Sequence, residues 1–267
     1  MLQFHRKTMS LATQSFGHGG ALMKNNDSNG TAINVTATSD LAALGSELIV
    51  DRVVRAIMEH RLPPGTKLSE SVLCRSFQAS RSTVRRALLL LGERGIVSLE
   101  ANRGAFIASP SPKEARAVFE ARRTIEPSII AKATQWITAN EVASLKAHLM
   151  NESRARESGA HHDAIRLSGE FHVALAVCAR NPLLERFVSE LVARTSLIIG
   201  LFGSPNTTHC LSDDHLSLLD ALVRKDAAAA SELMSRHLSH IEAGIDLSGG
   251  HDATIDVARV LVGSLQA

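Results

Sequence analysis

From Leu44 onward apolar residues recur at helical spacing: Leu48, Ile49, Val53 and Ile57 mark one face, and the run stops at Arg61-Leu62-Pro63-Pro64-Gly65. Two prolines and a glycine cannot continue a helix, so the pattern predicts a helix of about four turns with a hard stop. Ser69 then opens a short helix with Leu73 and Phe77 inward. After a tight turn at Gln78-Ala79, Ser80 caps a third helix in which Val84, Leu88 and Leu91 face a core before Gly95 ends it. Two short strands follow, Ile96-Val97-Ser98-Leu99 and Ala105-Phe106-Ile107-Ala108. They are joined by Glu100-Ala101-Asn102-Arg103-Gly104, a hairpin loop with Asn and Gly where unusual backbone angles are needed. Helix, helix, turn, helix, hairpin is the order of a winged helix-turn-helix.

Ser109-Pro110-Ser111-Pro112 reads as a linker, because two prolines spaced by serine break both helix and sheet. Behind it the spacing predicts consecutive amphipathic helices over roughly 113–135, 140–157, 162–179, 182–202, 212–224 and 226–245, with no competing strand pattern. The expected fold is mostly α: an N-terminal winged helix-turn-helix of three helices plus a β-hairpin wing, and a C-terminal all-α helical bundle. Residues 1–40, rich in Ser, Thr, Asn and Gly without periodicity, read as a flexible arm. The winged helix-turn-helix unit is placed at 41–109, the helical domain at 110–247, and a tail at 248–267 whose apolar stretch Thr254 to Leu265 either docks as a helix or frays.

Composition sharpens this only slightly. The chain has 267 residues, 45% apolar and 21% charged, with a formal net charge of +2, which suits two ordinary globular domains. Between Ser46 and Ser109, ten Lys/Arg stand against six Asp/Glu, a modest excess that fits an anion-binding module and carries little weight alone. Cys74, Cys178 and Cys210 are far apart and odd in number, which argues against a disulfide framework and fits a reducing cytosol. No run of eighteen apolar residues and no secretory signal stands in the sequence, so a cytoplasmic protein without a membrane partner is expected.

The third helix of a helix-turn-helix lies in the major groove, its first turn toward bases and phosphates and its later apolar residues toward the domain. Ser80, Arg81, Ser82, Thr83 and Arg85 supply hydroxyls and guanidiniums there, while Val84, Ala87, Leu88 and Leu91 form the apolar stripe. Arg pairs bidentately with guanine O6 and N7, whereas Ser and Thr hydroxyls at a helix N-terminus suit phosphate oxygens. Arg103, at the hairpin tip, is placed to reach an adjacent minor groove or phosphate. An isolated SRSTVRRA would be read as a well-capped helix with a solvated basic face; its context decides otherwise. The run from Leu62-Pro63-Pro64-Gly65-Thr66-Lys67-Leu68-Ser69-Glu70, through Ser80 to Leu88, to Glu93-Arg94-Gly95-Ile96-Val97 and Arg103-Gly104-Ala105-Phe106-Ile107, closely resembles the GntR family of bacterial regulators. The resemblance implies DNA contacts from Arg81, Thr83, Arg85 and the wing residues Asn102, Arg103 and Gly104. One departure is Ser71, where such families often carry an Arg after the Glu of the second helix.

Three histidines fall on three predicted helices, in Glu170-Phe171-His172, Asp213-Asp214-His215 and Met234-Ser235-Arg236-His237-Leu238. Singly, each reads more naturally as an ordinary helix histidine than as a metal ligand. Together with Phe119-Glu120-Ala121-Arg122-Arg123-Thr124-Ile125-Glu126 they resemble the FCD ligand-binding domain, the helical partner of the fatty-acid-regulator branch of the GntR family, over most of residues 113–246. That resemblance implies a divalent metal, often zinc or nickel, held by the three histidines and an Asp four residues before the first of them. Spacing by four puts two side chains on one helical face, but here the position is Ser168, a weak neutral ligand. Two alternatives follow: His172, His215 and His237 bind metal with an open place filled by water, an effector carboxylate or Cys210, or the pocket works without metal. Arg122 and Arg194 are candidates to pair with an anionic effector through their forked donors, and equally suit interhelical or surface salt bridges.

The sequence therefore points to a sequence-specific DNA-binding transcription regulator whose operator affinity is controlled by a small, anionic metabolite. It is expected to act as a homodimer on a pseudo-palindromic double-stranded DNA operator. No nucleophile–base–orienter set, Walker loop or dinucleotide fingerprint is present, so no catalysis is expected. Two competing readings are a zinc-dependent hydrolase-like enzyme on the three-His site, with Glu170 as a candidate general base, yet two residues from His172 and so on another face, and a metal-free helical dimerisation module.

Overall fold

The computed structural model describes residues 34–203 and 212–247; the expectations placed on most of the arm, on Cys210 and on the tail stretch Thr254 to Leu265 lie outside the described residues. The first helix, α1 (Asn34–Met58), begins well before Leu44, inside the stretch read as arm. Neither proline nor glycine interrupts residues 34–44, so a helix nucleated further on propagates backward at little cost.

Then come β1 (Lys67–Leu68), α2 (Glu70–Phe77), α3 (Arg81–Glu93), β2 (Val97–Glu100) and β3 (Gly104–Ile107). Gln78 takes the left-handed conformation (φ 50°) that ends α2, and the Ser80 hydroxyl accepts from the Thr83 N–H at 3.2 Å to start α3. The wing turns through Asn102 (φ 61°) and Gly104 (φ 103°), the unusual angles expected of that loop. Its strands pair antiparallel, Val97 with Ile107 and Glu100 with Gly104. A third, two-residue strand was too short for its pattern to be read: β1 pairs with β3, giving the order β1-β3-β2.

The rear six helices are α4 (Pro112–Trp136), α5 (Ala139–Glu157), α6 (His161–Cys178), α7 (Pro182–Phe202), α8 (Ser212–Val223) and α9 (Ala227–Ala243). Each lies within two residues of its expected span because the caps are written locally. Ser111 with Glu114 and Thr138 with Glu141 form capping boxes, and Asn181 and Asp226 accept from the first turns of α7 and α9. No helix among the described residues is long and apolar enough to cross a membrane.

Two apolar cores result, and they interlock. Ala193 and Leu197 of α7 are buried in the winged-helix core with Val53, Leu88 and Ile96, while Met58 of α1 is buried in the helical-domain core with Phe171 and Leu175. Gly169 of α6 allows this approach, since a Cβ there would stand 2.9 Å from Met58 Cε and from Val192 Cγ1. An ion pair crosses the same junction, Arg166 Nε lying 3.1 Å from the buried Glu59 carboxylate.

Candidate metal centre and nucleic-acid interface

In the first turn and a half of the recognition helix α3, Arg81, Ser82, Arg85 and Arg86 are exposed, with Ser80 exposed at its cap; Leu89 and Glu93 are exposed further along. Arg85 Nε lies 3.0 and 3.1 Å from the two carboxylate oxygens of Glu70. Thr83 departs from the expected set of DNA contacts. It is 7% exposed, its methyl faces Gly45 of α1 and its hydroxyl lies 2.8 Å from that of Ser80, so the side chain packs and caps instead of facing outward. On the wing, Asn102, Arg103 and Gly104 are all exposed. Arg103 pairs with Glu100 and lies over the Phe106 ring, 5.4 Å from its centroid, with Lys67 on the same ring at 5.8 Å. Lys67 is thus a cation at the wing that sequence reasoning passed over.

In the helical domain α6, α8 and α9 bring His172, His215 and His237 together, all three buried. Nε2 of His237 lies 3.2 Å from Nε2 of both His172 and His215. Each outer nitrogen meets a carboxylate: His172 Nδ1 is 2.7 Å from Glu126, His215 Nδ1 3.1 Å from Glu152, and His237 Nδ1 3.1 Å from Asp214. A carboxylate accepts the Nδ1–H of a neutral imidazole, which fixes the tautomer and turns the Nε2 lone pair toward the centre. Three lone pairs converging in a buried space repel one another unless a cation lies between them. Metal–nitrogen bonds of about 2.0–2.1 Å at tetrahedral angles put the nitrogens about 3.3 Å apart, so the donor set fits a divalent metal.

Electrostatics favour the ligating form. Burial holds the His172 imidazole down to about 4 and that of His237 to about 3, although Glu126 and Asp214 pull the other way. Burial alone would raise the Glu126 carboxyl, but Arg122 and His172 hold it down to about 2. Arg122 donates Nε to Glu126 at 2.5 Å and Nη1 to Thr195 at 3.2 Å, and Arg156 donates to Glu152 at 2.6 Å. Both arginines also line a small cavity beside the centre, with His161, Ser168, Thr195 and His172.

The structure thus brings together the three histidines, Arg122 and Ser168, which faces the same cavity as His172 one turn on. It does not bring Arg194 there. That side chain leaves α7 on the opposite side, donates Nε to the Arg94 carbonyl at 3.0 Å and lies against Gly95, where a Cβ would stand 2.1 Å from its Nη2. Its effector role is corrected to an interdomain contact at the end of the recognition helix. Glu170 is likewise engaged elsewhere, 2.8 Å from Arg166. Sequence reasoning missed the supporting carboxylates: Glu126 and Asp214 stand inside motifs already singled out, while nothing near Glu152 marks it.

Residues 46–107 match the family described as bacterial regulatory proteins, gntR family, and residues 117–240 match the FCD domain. The chain belongs to the GntR family and carries an FCD domain. It is 28% identical over 196 residues to the HTH-type transcriptional repressor RspR of Escherichia coli, covering 73% of this chain and 86% of that protein. It is 26% identical over 208 residues to the HTH-type transcriptional regulator LutR of Bacillus subtilis, covering 70% and 94%. In fold it matches E. coli McbR/YncC (TM-score 0.67, 18% identity, 74% of this chain and 95% of that one). A GntR regulator from Rhodococcus sp. RHA1 also matches (TM-score 0.64, 23% identity, 78% and 97%). The protein is a DNA-binding transcription regulator of GntR type, and its relatives are regulators, not enzymes.

One pH effect follows for this GntR protein. Burial also holds His60, at the domain junction, down to about 4. With folded values below the unfolded one, these histidines contribute stability that is complete above about pH 6.5 and is lost as pH falls toward 4. In chelator, the thermal midpoint at pH 5 is expected to lie several degrees below that at pH 7.5, and an unchanged midpoint would show that the imidazoles are not held neutral.

Proposed function

We propose that this regulator's operator affinity is set by a small anionic metabolite bound in the FCD cavity beside a divalent metal, zinc or nickel, held by His172, His215 and His237. The observation that carries this reading is the convergence of three Nε2 atoms, each backed by its own carboxylate. When bound, the metal supplies fixed positive charge. Arg122 supplies a second cation in the cavity wall, and Ser168, in place of an acidic ligand, leaves one direction open for an effector carboxylate. In the front domain Ser80, Arg81, Arg85, Asn102, Arg103 and Gly104 approach the DNA, in the cytoplasm. The deciding experiment measures binding to an operator selected from random duplexes, with metal-stripped and metal-loaded protein, before and after adding small carboxylic acids. Affinity that responds to neither would overturn the reading.

A homodimer belongs to the same proposal, since one small domain makes too few contacts for tight specific binding and a two-fold pair doubles them. Light scattering is expected to give twice the chain mass of 28.6 kDa. A monomer that bound one operator tightly would contradict it.

A further inference from the structure

The Glu70–Arg85 pair is poorly explained by folding. Both partners are exposed, the Arg85 side chain by 64% and that of Glu70 by 39%, and ion pairs this open to solvent add little to stability. An acidic residue in the first turn of α2 complements the helix dipole, but that does not require a partner on α3, fifteen residues away. A carboxylate on a surface meant for phosphates also weakens DNA binding by repulsion.

We propose that Glu70 is a positioning residue for DNA reading: it holds Arg85 so that the guanidinium presents its terminal donors to one base, and thereby sharpens specificity without touching DNA. This rests on the reading that α3 enters the major groove. Both Glu70 oxygens meet the single Nε–H of Arg85, at 3.0 and 3.1 Å. Nε is the donor a bidentate contact to guanine can do without; the Nη1 and Nη2 groups match O6 and N7, and among the described residues no hydrogen bond engages them. Arginine carries much rotamer entropy, and a side chain held in place beforehand loses less of it on binding. Ser71, next in line, lies 3.0 Å from the Ser69 hydroxyl and places no second cation beside the carboxylate. Arg81 differs: among the described residues no side-chain hydrogen bond holds it, so its contact adapts where that of Arg85 is preset.

The proposal and the plain electrostatic account predict opposite signs. If Glu70 is only a surface charge, its removal leaves specific binding unchanged or tightens it on every sequence. If it positions Arg85, binding to the preferred site weakens while binding to random duplex holds or improves. The test uses the full-length protein and the Glu70→Ala, Glu70→Gln and Arg85→Ala variants, with an operator and base-preference profile obtained by selection from random duplexes. Glu70→Ala is expected to lose about tenfold in affinity for the selected site. It should also lose discrimination at one symmetry-related base pair, keep it at the Arg81 position and melt as wild type. Glu70→Gln, which keeps an acceptor for Nε–H, should lose less. Unchanged or tighter binding with an unaltered profile overturns the proposal, as does an even loss on all sequences accompanied by a lower melting midpoint. Arg85→Ala separates the two layers. Full activity in that variant overturns the groove reading itself, whereas loss there with an unaltered Glu70→Ala overturns only the role of Glu70.

Discussion

His215→Ala and His237→Ala are each expected to lower divalent metal affinity by more than about a hundredfold, beyond the 10–100-fold that losing a mere supporting partner costs. His237 stands in the middle, its Nε2 3.2 Å from both others, so its loss leaves two nitrogens that need a third donor. Ser168→Asp should act oppositely on metal, because a carboxylate one turn before His172 adds an anionic ligand to a neutral three-nitrogen set. An anionic effector should then bind more weakly, since the new carboxylate takes its place and repels it. Calorimetric titration of the metal-stripped protein decides. Equal affinity in wild type, Ser168→Asp and His215→Ala would mean that the histidines are structural and that arginines and hydrogen bonds hold the effector.

Arg81→Ala and Arg85→Ala should each remove specific operator binding while leaving the fold intact, because both side chains are solvent-exposed at the start of α3. A lost bidentate base contact costs about 1–3 kcal/mol per half-site, and a two-fold dimer loses it twice. Wild-type affinity in either variant at physiological salt would place α3 outside the groove. Arg103→Ala is expected to behave differently. Its guanidinium lies over Phe106 at the exposed wing tip, so the loss should fall evenly across sequences and flatten the salt dependence by about one ion per wing.

Apart from the start of α1 and the short β1, element boundaries were legible because they are local chemistry. Ser80, Ser111, Thr138 and Asn181 each accept from their own first turn, and such a cap is visible without knowing the fold. The three histidines were legible through their motif settings, and Ser168 through its spacing from His172. What stayed hidden depends on which elements meet. The Thr83 hydroxyl looks like a phosphate donor in sequence, but in the fold the side chain is buried, its methyl against Gly45 of α1 and its hydroxyl beside that of Ser80. Glu152 becomes a partner of His215 only because α5 packs beside α8, sixty-three residues later in the chain. Arg194 shares α7 with the cavity residue Thr195, but successive helix positions diverge by about 100°, and that rotation delivers it to Arg94 instead.

The helix α7 also changes what counts as a detachable part. Ser109 to Pro112 marks the seam in the sequence, yet Ala193 and Leu197 complete the packing around Leu88 and Ile96, and Met58 returns the exchange on the other side. A fragment cut at the linker would carry an apolar hollow where α7 belongs and a bare recognition-helix end where Arg194 now sits. A chimera that joins this reading head to another sensor at the linker would therefore have to transplant the outer face of α7 as well, for the structural border between the halves runs through the middle of a helix of the second.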